Sequence, residues 1–192
     1  KNKTLLQGAF NVYPSDWGHM LEENGKGIST RKVKRGYFVG EAAMTGRPSR
    51  YANIPNPENF ITINMNGVRK TTPFHEIGHM VEYFSKYASR LSNEFIDMRT
   101  KGEVEEKLNN ILNMRCYGRE VAKKDNFITP YIGKTYKGGS TEVLSVGLES
   151  VFEPTENGQY KYWDYKNHKP VYATIKDDEE FLHFIIGMIL TV

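Results

Sequence analysis

The sequence predicts an α+β domain, mainly helical, with a small N-terminal mixed sheet whose last strand leads into a strongly helical segment. Three stretches carry that prediction. Phe60-Ile61-Thr62-Ile63-Asn64-Met65 alternates with a period of two, so Phe60, Thr62 and Asn64 share one face of a strand and Ile61, Ile63 and Met65 the other. Phe74, Ile77, Val81, Phe84, Ala88, Leu91 and Phe95 then recur at spacings of three and four, the buried stripe of a helix. Residues 140–152 form a second helix with Leu144, Leu148 and Val151 as its apolar face; Ser140 or Gly139 caps it, and it ends before Pro154.

A chain of 192 residues suits one domain with a real core, and 39% hydrophobic and 26% charged residues are ordinary globular values. The net charge of +3 is too small to argue for a nucleic-acid partner. The single cysteine, Cys116, rules out an internal disulfide and any cysteine-based metal cluster, so a metal here must use histidine and carboxylate ligands. No signal-peptide pattern opens the chain, and its start at Lys1 suggests a piece of a larger polypeptide. The apolar run over residues 181–190 is too short to span a bilayer and reads as a buried terminal helix, so no membrane partner is expected.

Taken in order, Ser15 or Asp16 caps a short helix stopped by Asn24-Gly25. Arg31, Lys32, Lys34 and Arg35 lead through Gly36 into the strand Tyr37-Phe38-Val39, and this basic cluster reads as a solvated strand end. Pro48, Pro55 and Pro57 make residues 46–58 a loop. Asn66-Gly67 turns the chain after the strand, and Thr71 or Thr72 with Pro73 starts the first long helix. As a sheet edge, the strand over residues 60–65 would be free to pair with an extended peptide. Helical character continues or restarts through Met98, breaks at Gly102, and resumes over residues 103–124 on Val104, Leu108, Ile111, Leu112 and Tyr117. Residues 129–139 are a Tyr- and Gly-rich loop, long enough to be functional, and residues 155–175 an irregular flap or hairpin. Asp177 and Glu180 form a capping box that opens the last helix.

Inside the first long helix stands His75-Glu76-Ile77-Gly78-His79. Histidines four apart lie on one helix face, where two imidazoles reach one tetrahedral Zn²⁺ and Glu76 stands beside them as a base for the zinc-activated water. The pattern is that of a metallopeptidase core. The apolar stripe is centred opposite both histidines, so they face away from the core; two histidines on a solvated face are the plainer alternative. No third histidine follows at short spacing, and Glu82 is too nearly in line with the pair to close a tetrahedron. A carboxylate from another helix is therefore the expected third ligand, with Glu142 the first choice and Glu149 the second. His19 has no partner spacing and is left unassigned.

The stretch His75-Glu76-Ile77-Gly78-His79-Met80-Val81-Glu82-Tyr83, with Phe95-Ile96-Asp97 and the loop leading into Glu142-Val143-Leu144-Ser145, resembles the gluzincin zinc metallopeptidases. Among these it looks most like the catalytic domains of anthrax lethal factor and its relatives. The likeness covers roughly the central 80 residues. It implies a zincin-like fold, one zinc metallopeptidase domain over residues 1–192, a peptide or protein substrate, and a tyrosine that steadies the transition state, carried over to Tyr136 and in second place to Tyr131. Such relatives place a second glutamate four residues after the ligand, where this chain has Val146; that contact must be absent or come from Ser145 or Glu149. Similar domains look to be embedded in phage head proteins and toxin-like polypeptides; location is left open by the sequence, with cytoplasmic and virion- or toxin-associated places both compatible with it. Such domains also supply the alternative of a structural or binding module with little or no peptidase activity.

Overall fold

The computed structural model describes residues 1–40, 56–65 and 69–192. The turn expected at Asn66-Gly67 and most of the loop over residues 46–58 lie outside them; of that loop, the 3₁₀ turn Pro57–Asn59 is described.

The chain opens with α1 (Asn2–Phe10) and α2 (Ser15–Glu23), the latter being the short helix expected before Asn24-Gly25. Leu6 and Ala9 of α1 and Trp17 of α2 are buried. Between the two helices Tyr13 donates its hydroxyl to the Phe74 carbonyl at 3.1 Å and sets its ring edge-on to Phe74 and Phe152. Strands β1 (Gly27–Ser29), β2 (Tyr37–Val39) and β3 (Phe60–Asn64) form a sheet of order β1-β3-β2, with β1 parallel and β2 antiparallel to β3. The sheet is mixed, as its sequence suggests, but β3 is the centre and not an edge. The β3 backbone pairs with β1 on one side and β2 on the other, and its side chains are buried on both faces, Ile61 and Ile63 on one and Thr62 and Asn64 on the other. Among the described residues β2 is the edge strand beside the cleft.

α3 (Thr72–Phe84), with Pro73 in its first turn, is followed by α4 (Lys86–Arg99). The single stripe expected through Phe95 is divided at Ser85, whose backbone is extended (φ −97°, ψ 102°) and whose Oγ accepts from Ala88 N at 3.1 Å. A serine able to cap a new helix competes with continuation of the old one. α3 is covered nearly all round: Ile77, Met80 and Val81 are buried, and so are Glu76, Gly78 and Glu82. The covering element on the histidine side is α6 (Val143–Phe152), so that face is packed, not solvated.

Gly78 makes this approach possible. A Cβ there would lie 2.6 Å from Ser145 Cα and 2.8 Å from Ser145 N, backbone atoms that cannot swing aside. Alanine favours a helix interior over glycine by about 1 kcal/mol, whereas overpacking costs about 1–3 kcal/mol. Gly78→Ala should therefore lower the free energy of unfolding in a denaturant titration, and a stabilised variant would show that the two helices separate without cost.

Residues 103–124 do not make the expected helix. They form β4 (Glu106–Lys107), the single turn α5 (Leu108–Ile111), the 3₁₀ turn Arg115–Tyr117 and β5 (Val121–Ala122), with β4 antiparallel to β5. Asn113 (φ 51°) and Gly118 (φ 54°) take left-handed conformations that end each turn. Leu108, Leu112 and Ala122 bury a small core of their own, separate from the main one.

β6 (Gln159–Asp164) and β7 (Lys169–Ala173) pair as a hairpin, and α7 (Glu179–Thr191) closes the chain. The capping box shifts upstream: Thr174 and Asp177 close a 3₁₀ turn, while Asp178 caps α7 by accepting from Phe181 N at 3.1 Å. Arg99 fastens this end, with Nη1 3.0 Å from Asp178 Oδ1, Nε 2.9 Å from Asp125 Oδ2 and its guanidinium 4.7 Å above the Phe127 ring. α7 buries Phe181, Ile185 and Met188 on one side only; Leu190 is exposed, so this helix is amphipathic and not wholly buried. Among the described residues no helix is long and apolar enough to cross a membrane.

Candidate metal centre

A cleft of about 530 Å³ opens between β2, α3 and the segment that carries Tyr131, Lys134, Tyr136 and Glu142. His75 and His79 enter it one turn apart, their side chains each 16% exposed. Opposite them stands Glu142, fully buried, in the N-cap position of α6. The start expected at Gly139 or Ser140 is displaced because Thr141 Oγ1 accepts from Val143 N at 3.2 Å, which opens the helix at Val143 and leaves Glu142 at its mouth.

Glu142 Oε2 is 3.2 Å from His75 Nε2 and 3.3 Å from His79 Nε2. An ion held tetrahedrally with bonds of about 2.0–2.1 Å sets its donors about 3.3 Å apart, and both separations are of that size. The three residues form a group that could hold a metal ion. Beside them Glu76 is buried, and its Oε2 has no hydrogen-bond partner among the described residues. An orphaned carboxylate oxygen next to three convergent donors fits a site that takes in a metal with its water. Gly36, just before β2, lets the backbone close on this carboxylate: a Cβ there would fall 2.7 Å from Glu76 Oε1.

Surrounding groups fix the donors. Glu149 Oε2 lies 3.5 Å from His75 Nδ1 and its Oε1 accepts from Gln159 Nε2 at 2.8 Å, so Glu149 turns the other nitrogen of His75 toward Glu142. Ser145 Oγ donates to Glu142 Oε2 at 3.0 Å. Both candidates for the contact missing at Val146 thus touch the donor set, and Val146 itself joins the core. Glu82 accepts from Thr141 Oγ1 at 2.7 Å and stands apart from the three-donor group.

Both tyrosines reach the cleft. Tyr136 donates its hydroxyl to Glu142 Oε1, and the Tyr131 hydroxyl accepts from Arg35 Nη2 at 3.0 Å while its ring stacks 6.5 Å from that of His75. Sequence reasoning missed two cations here. Arg35, read as part of a solvated strand end, pairs with Glu120 at 3.0 Å and lines the cleft. Lys134 lies buried with Nζ 3.0 Å from Glu120 Oε2 and 3.6 Å from Glu142 Oε1. The available signal was its place two residues before Tyr136, which shares a side with it if the segment is extended. His19 is exposed.

Charge follows from burial and neighbours. Burial opposes ionisation of Glu142, but His79 and His75 outweigh it and hold the carboxyl well below the usual range. Burial likewise opposes protonation of His75, yet Glu142 and Glu149 raise it well above the ordinary imidazole value, and Glu142 does the same for His79. Burial pushes the Glu76 carboxyl up, the imidazoles only partly offsetting it. Burial and then Glu142 raise both Tyr131 and Tyr136, which stay phenols able to donate at neutral pH. The centre is thus an anionic ligand facing two imidazoles, with a carboxyl of raised proton affinity alongside.

Comparison of the chain with protein-family models, with curated proteins and with solved structures gives no match.

Proposed function

We propose that the chain is a zinc metallopeptidase of zincin-like fold that hydrolyses peptide bonds of a peptide or protein substrate. The observation that carries this reading is the convergence of His75, His79 and Glu142, their donor atoms within 4.8 Å of one another, beside the buried Glu76 carboxylate, whose Oε2 has no hydrogen-bond partner among the described residues. Two imidazoles and one carboxylate suit zinc, and three protein ligands leave a fourth position for water. Bound there, zinc polarises a scissile carbonyl and lowers the pKa of water toward about 7. Glu76, one residue past His75, is placed to take a proton from the attacking water and return it to the leaving amine. Tyr136, a phenol at the cleft wall whose hydroxyl donates to Glu142 Oε1 in the free chain, would exchange that bond for one to the oxygen that gains charge. The edge of β2, with Gly36, Tyr37 and Phe38 along the cleft, offers backbone groups to an extended peptide, the role expected of β3.

Metal analysis and peptide hydrolysis on the purified protein test the reading together. About one chelator-removable zinc per chain with hydrolysis supports it. Zinc without hydrolysis of any peptide favours the structural or binding module, and a chain that takes up no zinc overturns the metal site.

The tyrosines separate within this scheme. Tyr136→Phe should lower kcat on the order of a hundredfold with zinc affinity little changed, as loss of one oxyanion donor does. Tyr131→Phe ranks second in this reading; its hydroxyl accepts from Arg35 Nη2 and keeps its own proton, which makes it the other donor in the cleft. Steady-state kinetics of the two variants check the order, and the reverse order would move the role to Tyr131.

A further inference from the structure

We infer that Lys134 is a positioning residue for the metal centre, holding the outer oxygen of Glu142 so that this carboxylate meets a bound ion through Oε2 alone. The inference rests on the metal-site reading above and extends it to a residue outside the donor set.

The two oxygens of Glu142 have different neighbours. Oε2 faces His75 Nε2, His79 Nε2 and the Ser145 hydroxyl; Oε1 faces the Tyr136 hydroxyl and Lys134 Nζ. A carboxylate whose outer oxygen is hydrogen-bonded by Tyr136 and ion-paired with Lys134 at 3.6 Å resists turning, so it would offer an ion Oε2 alone and leave a position for water. Lys134 also lies with Nζ 4.3 Å from the centre of the Tyr136 ring and 5.1 Å from that of Tyr131, so one cation braces the carboxylate and both phenols.

The fold builds this arrangement deliberately enough to exclude a stray surface lysine. Lys134 pairs with Ala122 as an isolated bridge, flanked by hydrogen bonds from Lys123 N to Gly133 O at 3.0 Å and from Thr135 N to Val121 O at 3.1 Å. In such an extended segment alternate residues share a side, which sends Lys134 and Tyr136 together toward Glu142. A buried ammonium needs anionic partners, and Glu120, itself engaged by Arg35, supplies the second. A cation so near the ligand carboxylate repels a bound metal ion, so the gain is in geometry and not in affinity.

Lys134→Met and Lys134→Arg test the inference in the full chain by three readouts: the visible absorption of the cobalt(II)-loaded protein, zinc affinity against a chromophoric chelator, and kcat. Lys134→Met should weaken the cobalt bands as Glu142 binds through both oxygens, leave zinc affinity equal or higher, and lower kcat about tenfold with KM little changed. Lys134→Arg, which keeps the charge and both carboxylate contacts, should restore the wild-type spectrum. If circular dichroism shows the Met variant unfolded, Glu120→Gln, at the rim, should loosen Lys134 and weaken the bands in the same direction. A Met variant with the wild-type cobalt spectrum, or one whose zinc affinity falls along with its stability, overturns the positioning role. A wild-type chain that binds neither ion overturns the metal site itself, and a chain that binds both without hydrolysis leaves the spectra to decide.

Discussion

Glu76→Gln is expected to leave fold and zinc content unchanged and to lower peptide hydrolysis by about a thousandfold or more, within the range that a general base contributes. Glutamine matches glutamate in shape, and Glu76 stands outside the three-donor group, so neither packing nor coordination should suffer. What disappears is proton affinity at one atom. Glu76 Oε2 is buried without a hydrogen-bond partner among the described residues, and burial raises the proton affinity of the carboxyl. Zinc analysis, circular dichroism and single-turnover hydrolysis on one preparation check this. A variant that keeps wild-type turnover would remove Glu76 from the mechanism, and one that loses zinc would show its carboxylate to be a ligand.

Glu142→Ala should abolish tight zinc binding and activity together. Its Oε2 is the atom common to both imidazole contacts, at 3.2 and 3.3 Å, and no other carboxylate joins that group among the described residues. Glu149→Ala removes only the group that orients His75 through Nδ1, so its cost should stay within the ten- to hundredfold usual for such partners. Zinc titration by calorimetry on both variants separates them. Retention of zinc in Glu142→Ala and its loss in Glu149→Ala would exchange the two roles.

How much was legible depends on the range over which each feature is determined. The pairing of His75 with His79 is local, set by one helical turn, and the period-two pattern of residues 60–65 is local as well. That β3 is the central strand is not local; it depends on which neighbours β1 and β2 find. The same holds for the histidine face, which the helical wheel leaves open to water and which α6 covers because Gly78 admits it. Residues 103–124 misled for the opposite reason. Leu108, Ile111 and Leu112 keep helical spacing, while Asn113 and Gly118 end each turn, and a separate small core rewards the broken form. Lys134 carried only the weak signal of its spacing from Tyr136, because its partners, Glu120 and Glu142, come together only in the folded chain. Glu142 could be chosen by elimination, whereas its place at the mouth of α6, one step outside the helix, turns on the Thr141 hydroxyl.

The close seating of α6 on α3 at Gly78 has a thermodynamic consequence. His75 and His79 belong to one helix and Glu142 to the cap of the other, so the three donors exist as a set only while those helices are in contact. An ion that needs all three binds the folded chain and not the unfolded one. Its free concentration then enters the stability of the protein by mass action, adding about 2.7 kcal/mol when it stands a hundredfold above its dissociation constant. If such an ion binds, the helix pair becomes a meter of the surrounding ion supply: in a metal-poor solution the fold would rest on its packing alone, and each tenfold rise in the ion above its dissociation constant would tighten it by about 1.4 kcal/mol.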